Sequence, residues 1–313
     1  MKNHQSQQLF NSMTDIDARF IEEAQTKLHR KKSRPFVRWG ALAACLCLVV
    51  GGALLWNGLR NRPAVENGPA AIPGEGILIP SRELDVPTEG EAMSMIAFFI
   101  YQGHWYDYYE LVDMDESLVG EYLGTVTGTI DEWTDRDDYV ELSGSVQGDF
   151  YSVNGYDPAF MLCMKRGEEI ELYICNNGIT LRDSSDLYED RLHLAEKYRS
   201  VTYESQDSWY NSKGKLRPLD TAVNQALTDF INALNVAELI PRQEVPYDRD
   251  KDAEAVSVFD SCLYHLYFTM EDGVTVHLRL IEGGYVFFQG MMDVAAQIPA
   301  EAFEPLIQQL DAQ

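Results

Sequence analysis

The sequence predicts an α+β protein: one N-terminal transmembrane helix, then a strand-rich, antiparallel extracytoplasmic domain of hairpins and meanders with a few helices. Three observations predict it. The stretch Trp39–Trp56 reads WGALAACLCLVVGGALLW, eighteen residues without a charge or a proline. Bases crowd one side of it, at Lys27, Arg30, Lys31, Lys32, Arg34 and Arg38, whereas only Arg60 and Arg62 lie within twenty residues on the other side. Beyond it, alternating runs rich in aromatic and β-branched residues recur between turn residues, the period of half-buried strands.

A helix rising about 1.5 Å per residue needs roughly this length to cross a hydrocarbon core of about 30 Å. In lipid the backbone must satisfy its own hydrogen bonds, which selects a helix. Trp39 and Trp56 stand at its ends, where amphipathic rings prefer the interface. The basic flank places the N-terminus in the cytoplasm. A cleaved signal peptide is not expected, because 38 residues precede the apolar run and Leu54-Leu55-Trp56-Asn57 follows it. Leu42-Ala43-Ala44-Cys45 resembles a lipobox, but eleven more apolar residues follow Cys45. The expected organisation is therefore a cytoplasmic tail over 1–38, the membrane helix over 39–56, a spacer over 57–90 and an outer domain over 91–313. That outer domain could split into two subdomains near 200–220.

Charge follows the same division. The tail carries eight bases and four acids, so it contributes +4 to a chain whose net charge is −25, leaving −29 beyond it. Such an excess argues against nucleic acid or anionic lipid as a partner of the outer domain. With 17 Tyr, 13 Phe and 5 Trp there is ample material for a core. Cys163, Cys175 and Cys262 are odd in number and lack CxxC spacing, so at most one disulfide is expected among them.

Within the tail, Leu9, Met13, Ile16, Phe20, Ala24 and Leu28 recur at three- and four-residue steps, one face of a helix over 9–28. Thr14 and Asp17 have capping-box spacing. The opposite face is charged, and its acids are unlike the Lys/Arg-rich polar faces of membrane-surface helices. The apolar stripe therefore lies on the membrane, self-associates or docks on a partner, and for the last Met13, Ile16, Phe20 and Ala24 are the candidate partner-binding residues. The arrangement LFNSMTDIDARFIEEA, a basic run and WGALAACLCLVV resembles the start of anti-sigma-factor-like single-pass membrane proteins of Gram-positive bacteria. DFYSVNGYDPAFMLCM, ICNNGITL and LRLIEGGYVFFQG resemble parts of their outer domains. The resemblance implies a cytoplasmic helix that holds a sigma factor, coupled to an outer sensing domain. Unlike the zinc-binding members, this tail has no cysteine, so a His/Cys zinc site cannot form in it.

Five of the twelve prolines fall in 57–90, giving an extended tether in which Ile77-Leu78-Ile79 could dock on the domain. Met95–Tyr101 and His104–Tyr109 read as a hairpin around Gln102-Gly103. Its aromatics Tyr101, Trp105, Tyr106 and Tyr108 are candidate ligand-facing residues for a cell-wall sugar, although pleated strands favour aromatics in any case. Strands are expected over Gly120–Ile130, Tyr139–Val146, Asp149–Val153, Phe160–Lys165 and Glu169–Cys175. Ser184–Tyr198 is ambiguous, and Thr221–Leu234 reads as a helix capped by Asp220. Ser257–Met270, Val274–Glu282 and Tyr285–Gln289 form a meander, and Ala300–Leu310 a closing helix. A three-residue loop Glu271-Asp272-Gly273, with Gly273 left-handed, puts Leu266, Phe268, Met270, Val274, Val276 and Leu278 on one face. His265, Tyr267, Thr275, His277 and Arg279 then share the other. The segments IYQGHWYDYY and LIEGGYVFFQ echo one another, either as related halves or as two hairpins solving one turn problem.

No nucleophile elbow, Walker loop or HExxH occurs. The acidic run from Asp248 lacks the glycine and the glutamate of a calcium loop. His265 and His277 read as a solvent-facing pair. No catalytic residue, metal or cofactor is expected. The reading is a membrane-anchored sensor whose cytoplasmic helix engages a sigma factor or other regulator. The alternative is a structural or adhesive surface module on an inert anchor.

Overall fold

The structure, a computed structural model, describes residues 68–72, 75–81, 96–131, 134, 138–222, 224–246 and 257–312. The chain divides into two compact units, Met1–Val65 and Glu66–Gln313, and the described residues all belong to the second. Trp39–Trp56, the tail residues Met13, Ile16, Phe20 and Ala24, and the acidic run from Asp248 lie outside the described residues. Among the described residues no helix is long and apolar enough to cross a membrane.

The second unit is a strand-rich antiparallel α+β domain, with three sheets among its described residues. The smallest joins β1 (Ala70–Ile72), β2 (Gly76–Ile79) and β9 (Ile179–Leu181). Its first two strands fall where proline content marks a tether. Ile77 and Ile79 are 3% and 2% exposed, so the folded unit reaches well before residue 91.

The six-stranded sheet contains β3 (Phe98–Tyr101), β4 (His104–Asp113), β5 (Val119–Thr127), β6 (Gln147–Val153), β7 (Met161–Arg166) and β8 (Glu169–Cys175). Its spatial order is β3-β4-β8-β7-β6-β5. Met161, Cys163, Ile170, Leu172 and Ile174 face the main core, whereas Leu162, Met164, Tyr173 and Cys175 face a second cluster with Phe99 and Phe150. Burial on both faces explains why β7 reads as an unbroken apolar run rather than an alternation. Tyr139–Val146 is not a strand. Ser143 Oγ receives the Val140 N–H and donates to Val140 O, closing a local turn at its start. The pairing that remains is a bridge between Phe99 and Gly144, flanked by backbone bonds from Ile100 N to Ser143 O, Leu142 N to Ile100 O and Ser145 N to Phe98 O.

The seven-stranded sheet contains β10 (Tyr198–Ser205), β11 (Arg217–Leu219), β12 (Glu238–Pro241), β13 (Cys262–Met270), β14 (Thr275–Ile281), β15 (Tyr285–Phe288) and β16 (Met291–Gln297), in the order β11-β10-β13-β14-β15-β16-β12. β13 and β14 pair in the expected register, Leu266 with Leu278 and Phe268 with Val276, around a Gly273 at φ +88°. The helices are α1 (Ser184–Tyr188), α2 (Leu194–Lys197), α3 (Gln206–Tyr210), α4 (Gln225–Asn235) and α5 (Ala300–Asp311). The cap of α4 is Asn224, whose side chain accepts the Leu227 N–H at 3.0 Å; Asp220 instead accepts the Ala222 N–H just upstream. Leu227, Phe230 and Leu234 of α4 join Phe303, Leu306 and Leu310 of α5 in the core shared by both large sheets. That core runs on between the two large sheets without a break in its apolar contacts.

The two echoing hairpins differ. β3–β4 turns on two residues, Gln102 and Gly103, whose N–H groups both reach the Glu141 carboxylate, and it lies at a sheet edge. β14–β15 pairs Ile281 with Tyr285 across three residues in the sheet interior. They are two solutions to chain reversal, placed differently.

Candidate functional site

The site is built where β4 meets the β13–β14 turn. β15 pairs with β14 only as far as Leu278, so the Thr275 main chain has no strand on that side. β4 supplies the missing partners. A bulge between Tyr108 and Glu110 interrupts its pairing with β8. Bulges re-aim side chains, and here both Tyr109 and Glu110 reach Thr275. The Tyr109 hydroxyl donates to Thr275 O, and Glu110 Oε2 accepts the Thr275 N–H at 2.8 Å. The Tyr109 ring packs on Phe288 at 5.5 Å.

Beside this clamp opens a cleft of about 440 Å³, lined by Glu110–Asp115, Arg199 and Glu271-Asp272-Gly273. Its carboxylates are Glu110, Asp113, Asp115, Glu271 and Asp272, against one lining cation, Arg199. Among the described residues no ion pair involves any of these six side chains. Local bonds position three of the acids. Besides the Glu110 contact, Asp115 Oδ1 accepts from Ser117 N and Oγ at 2.8 and 2.7 Å, and Asp272 Oδ1 accepts the Val274 N–H at 3.1 Å. Burial raises the Glu110 carboxyl above its ordinary range, the Thr275 hydrogen bonds oppose that rise, and the Asp272 charge adds to it. Tyr156 is 6% exposed, and its hydroxyl lies beside the Asp272 carboxylate, to which it hydrogen-bonds. Burial raises its pKa most, followed by the negative charge of Asp272.

The second polar constellation overturns the solvent-facing reading of His265 and His277. His265 is 0% exposed. Its Nδ1 lies 2.8 Å from His277 Nε2, and its Nε2 lies 2.7 Å from Gln206 Oε1. An amide oxygen only accepts, so His265 carries its hydrogen on Nε2, and Nδ1 accepts from His277. α3 covers the pair, with Trp209 stacked on His265 at 4.5 Å. Arg279 lies over Trp209 at 4.6 Å and donates to Gln289 Oε1 at 2.7 Å. Burial and then the Arg279 charge lower the His265 pKa to about 3. His277 is lowered to about 3 by burial, then by His265 and Arg279. Neighbouring Glu204 accepts from Tyr267 and Ser208 at 2.9 and 2.8 Å. Both ring nitrogens of His265 are engaged, which makes this network a packing element rather than a ligand set. No group of three or more His, Cys, Asp or Glu among the described residues is arranged to hold a metal ion. Cys163, Cys175 and Cys262 are free and buried.

The aromatics of the first hairpin do not share one face. Trp105 stacks on Phe98 at 4.3 Å in one cluster; Tyr106, 1% exposed, packs on Phe99 in another and donates to Pro158 O. Tyr101 is half-buried against Phe150, and Tyr108 is 39% exposed. Sequence reasoning missed the cleft, since its walls come from segments some 165 residues apart. The clustering of acids in LVDMD and EDG was the only local signal. Compared with known proteins, the chain matches no family model, no curated protein and no solved structure.

Proposed function

We propose that this chain is a single-pass membrane signalling protein, N-terminus in the cytoplasm. Its extracytoplasmic domain senses a ligand in the acidic cleft, and its cytoplasmic helix engages a sigma factor or other regulator. The observation that carries the proposal is the charge division about an uncharged eighteen-residue stretch, +4 before it and −29 from it onward. A compact unit beginning at Glu66, ten residues past Trp56, supports the placing of a separate domain beyond the membrane. The cleft gives that domain a concave polar site of ligand size.

The test has two arms. Single cysteines at Ser6 and at Gln313, introduced into a background lacking the native cysteines, should be labelled by a membrane-impermeant thiol reagent in intact cells only at Gln313. Cross-linked capture of the full chain should recover a regulator that is lost with Ile16→Asp/Phe20→Asp. Reversed labelling, or labelling at both ends, sinks the topology. Equal recovery with both chains sinks the signalling role and favours the adhesive module.

A further inference from the structure

We propose that Arg279 on β14 is the anchor of an oxyanion site, taking a carboxylate or phosphate group of a small ligand on the terminal edge of its guanidinium. The inference goes beyond the sensing role proposed above and does not rest on it.

The argument starts from a charge without a counter-charge. Arg279 is 8% exposed, so its guanidinium is withdrawn from most of its water. A buried charge is costly unless it is paired, yet no ion pair to Arg279 occurs among the described residues. Acids on the neighbouring elements have other partners. Glu204 accepts from Tyr267 and Ser208, Asp207 pairs with Lys213, and Asp260 takes the Ser257 N–H. In a chain with 50 acids, leaving this one base unmatched is a distinctive arrangement.

The guanidinium is also held in place before any ligand arrives. Its Nε donates to Gln289 Oε1 at 2.7 Å. Its central carbon lies 4.6 Å from the Trp209 ring and 5.1 Å from the Phe259 ring. Trp209 comes from α3, and Phe259 from the single turn Val258–Ser261, which the capping box of Ser257 and Asp260 fastens. Three contacts therefore fix the plane and the direction of the group. They leave its two terminal amino groups, neither of which has a hydrogen bond among the described residues and neither of which is sealed from solvent.

A planar fork of N–H groups on a free edge matches a carboxylate or phosphate through two parallel bonds. Fixing the fork beforehand lowers the ordering cost of binding, and the low local dielectric strengthens the attraction. A purely structural arginine would explain the ring contacts and the Gln289 bond, but not the missing counter-ion. The surroundings agree. Burial lowers the Arg279 pKa, and the groups that oppose this are Cys262 and Tyr267, not a carboxylate. His265 and His277, bonded to each other and held neutral by burial, bring no competing charge.

The experiment is calorimetric titration of the full chain in a non-ionic detergent, in Tris chloride at fixed ionic strength. The probes are sodium acetate and sodium phosphate. Saturable binding of at least one is expected, about tenfold weaker in Arg279→Lys, which keeps the charge and loses the fork. Binding should be unchanged in Lys215→Gln/Arg217→Gln, which removes two exposed bases elsewhere. Gln289→Glu is the second variant and decides alone if Arg279→Lys does not fold. It gives Arg279 an internal carboxylate, so it should raise the melting temperature and weaken anion binding about tenfold. Binding of acetate alone identifies a carboxylate ligand, binding of phosphate alone a phosphorylated one, and binding of both a site that reads the shared oxyanion geometry. Three results overturn the proposal: no saturable heat with either probe, binding undiminished in Gln289→Glu, or an equal loss in Lys215→Gln/Arg217→Gln. The titration is independent of membrane topology and of the acidic cleft, so failure here leaves the signalling reading standing, and the reverse holds too.

Discussion

The two faces of the β13–β14 hairpin are built from the same backbone and stabilised by different physics. On one face Leu266, Phe268, Met270, Val274, Val276 and Leu278 are all 0% exposed and belong to the main apolar core. On the other, His265 is equally buried, yet it is held by directed bonds to His277 and Gln206 under a stacked Trp209. The apolar face is stabilised by area and shape, and tolerates substitutions that keep volume. The polar face is stabilised by satisfaction, and tolerates only residues that restore donors and acceptors. The largest effect should come from the apolar side. Phe268→Ala is expected to cost about 3–5 kcal/mol, the usual range for a fully buried phenylalanine. Denaturant unfolding measures it, and a loss below about 1 kcal/mol would mean that the core is not continuous there.

The polar face should respond more modestly to mutation and far more to pH. His265→Leu leaves His277 Nε2 and Gln206 Oε1 without partners, a cost of about 1–3 kcal/mol. Both imidazoles titrate near 3 when folded, below the ordinary 6.5. Between those values the unfolded chain binds more protons than the folded one, so stability rises with pH. Their contribution is fully present above about 6.5 and is lost as the pH falls toward 3. The slope is about 1.4 kcal/mol per pH unit for each imidazole. Unfolding curves from pH 7.5 to 4 should therefore be shallower in His265→Leu than in the native chain. Identical slopes would show that the pair is not buried and neutral.

Why one face was legible and the other was not follows from the same contrast. Alternation over Leu266–Leu278, together with the left-handed Gly273, determines which residues point inward, because a one-residue slip would expose all six. Nothing in that alternation distinguishes a polar face open to water from one covered by α3. The cover comes from Gln206 and Trp209, some sixty residues upstream, in a helix of five residues with too little sequence to show a period. β7 and β8 were legible as strands, while the short β1, β9, β11 and β12 depend on pairing partners distant in sequence. The cleft was hidden for a third reason. It depends on a bulge that turns Tyr109 and Glu110 toward Thr275, and a bulge changes no residue type.

The turns extend the comparison at smaller energies. At Gly273 an added Cβ would meet nothing within 4 Å, so Gly273→Ala should cost only its left-handed backbone, about 1 kcal/mol. At Gly284, also left-handed, the added Cβ would lie 2.4 Å from Ile298 O, a backbone atom that cannot swing away. Gly284→Ala should therefore be the more damaging of the two. Equal losses in thermal melts would mean that the Gly284 turn relaxes.

The smallest effect should also have the opposite sign. Glu110 holds the open edge of β14 through the Thr275 N–H, and a glutamine oxygen can accept the same bond. What Glu110→Gln removes is a carboxylate whose pKa is raised, first by burial and then by Asp272. A raised carboxyl binds more protons in the folded state than in the unfolded one across the window above its ordinary value. The native chain therefore loses stability as the pH rises through that window, the reverse of the histidine pair. Glu110→Gln should melt slightly higher than the native chain at pH 7.5 and converge with it near pH 4. The two pH dependences then separate in one series of melts, the histidine contribution falling on acidification and the Glu110 penalty disappearing. If Glu110→Gln melts lower at pH 7.5, the charged carboxylate stabilises the fold through the Thr275 N–H and its burial carries no net penalty.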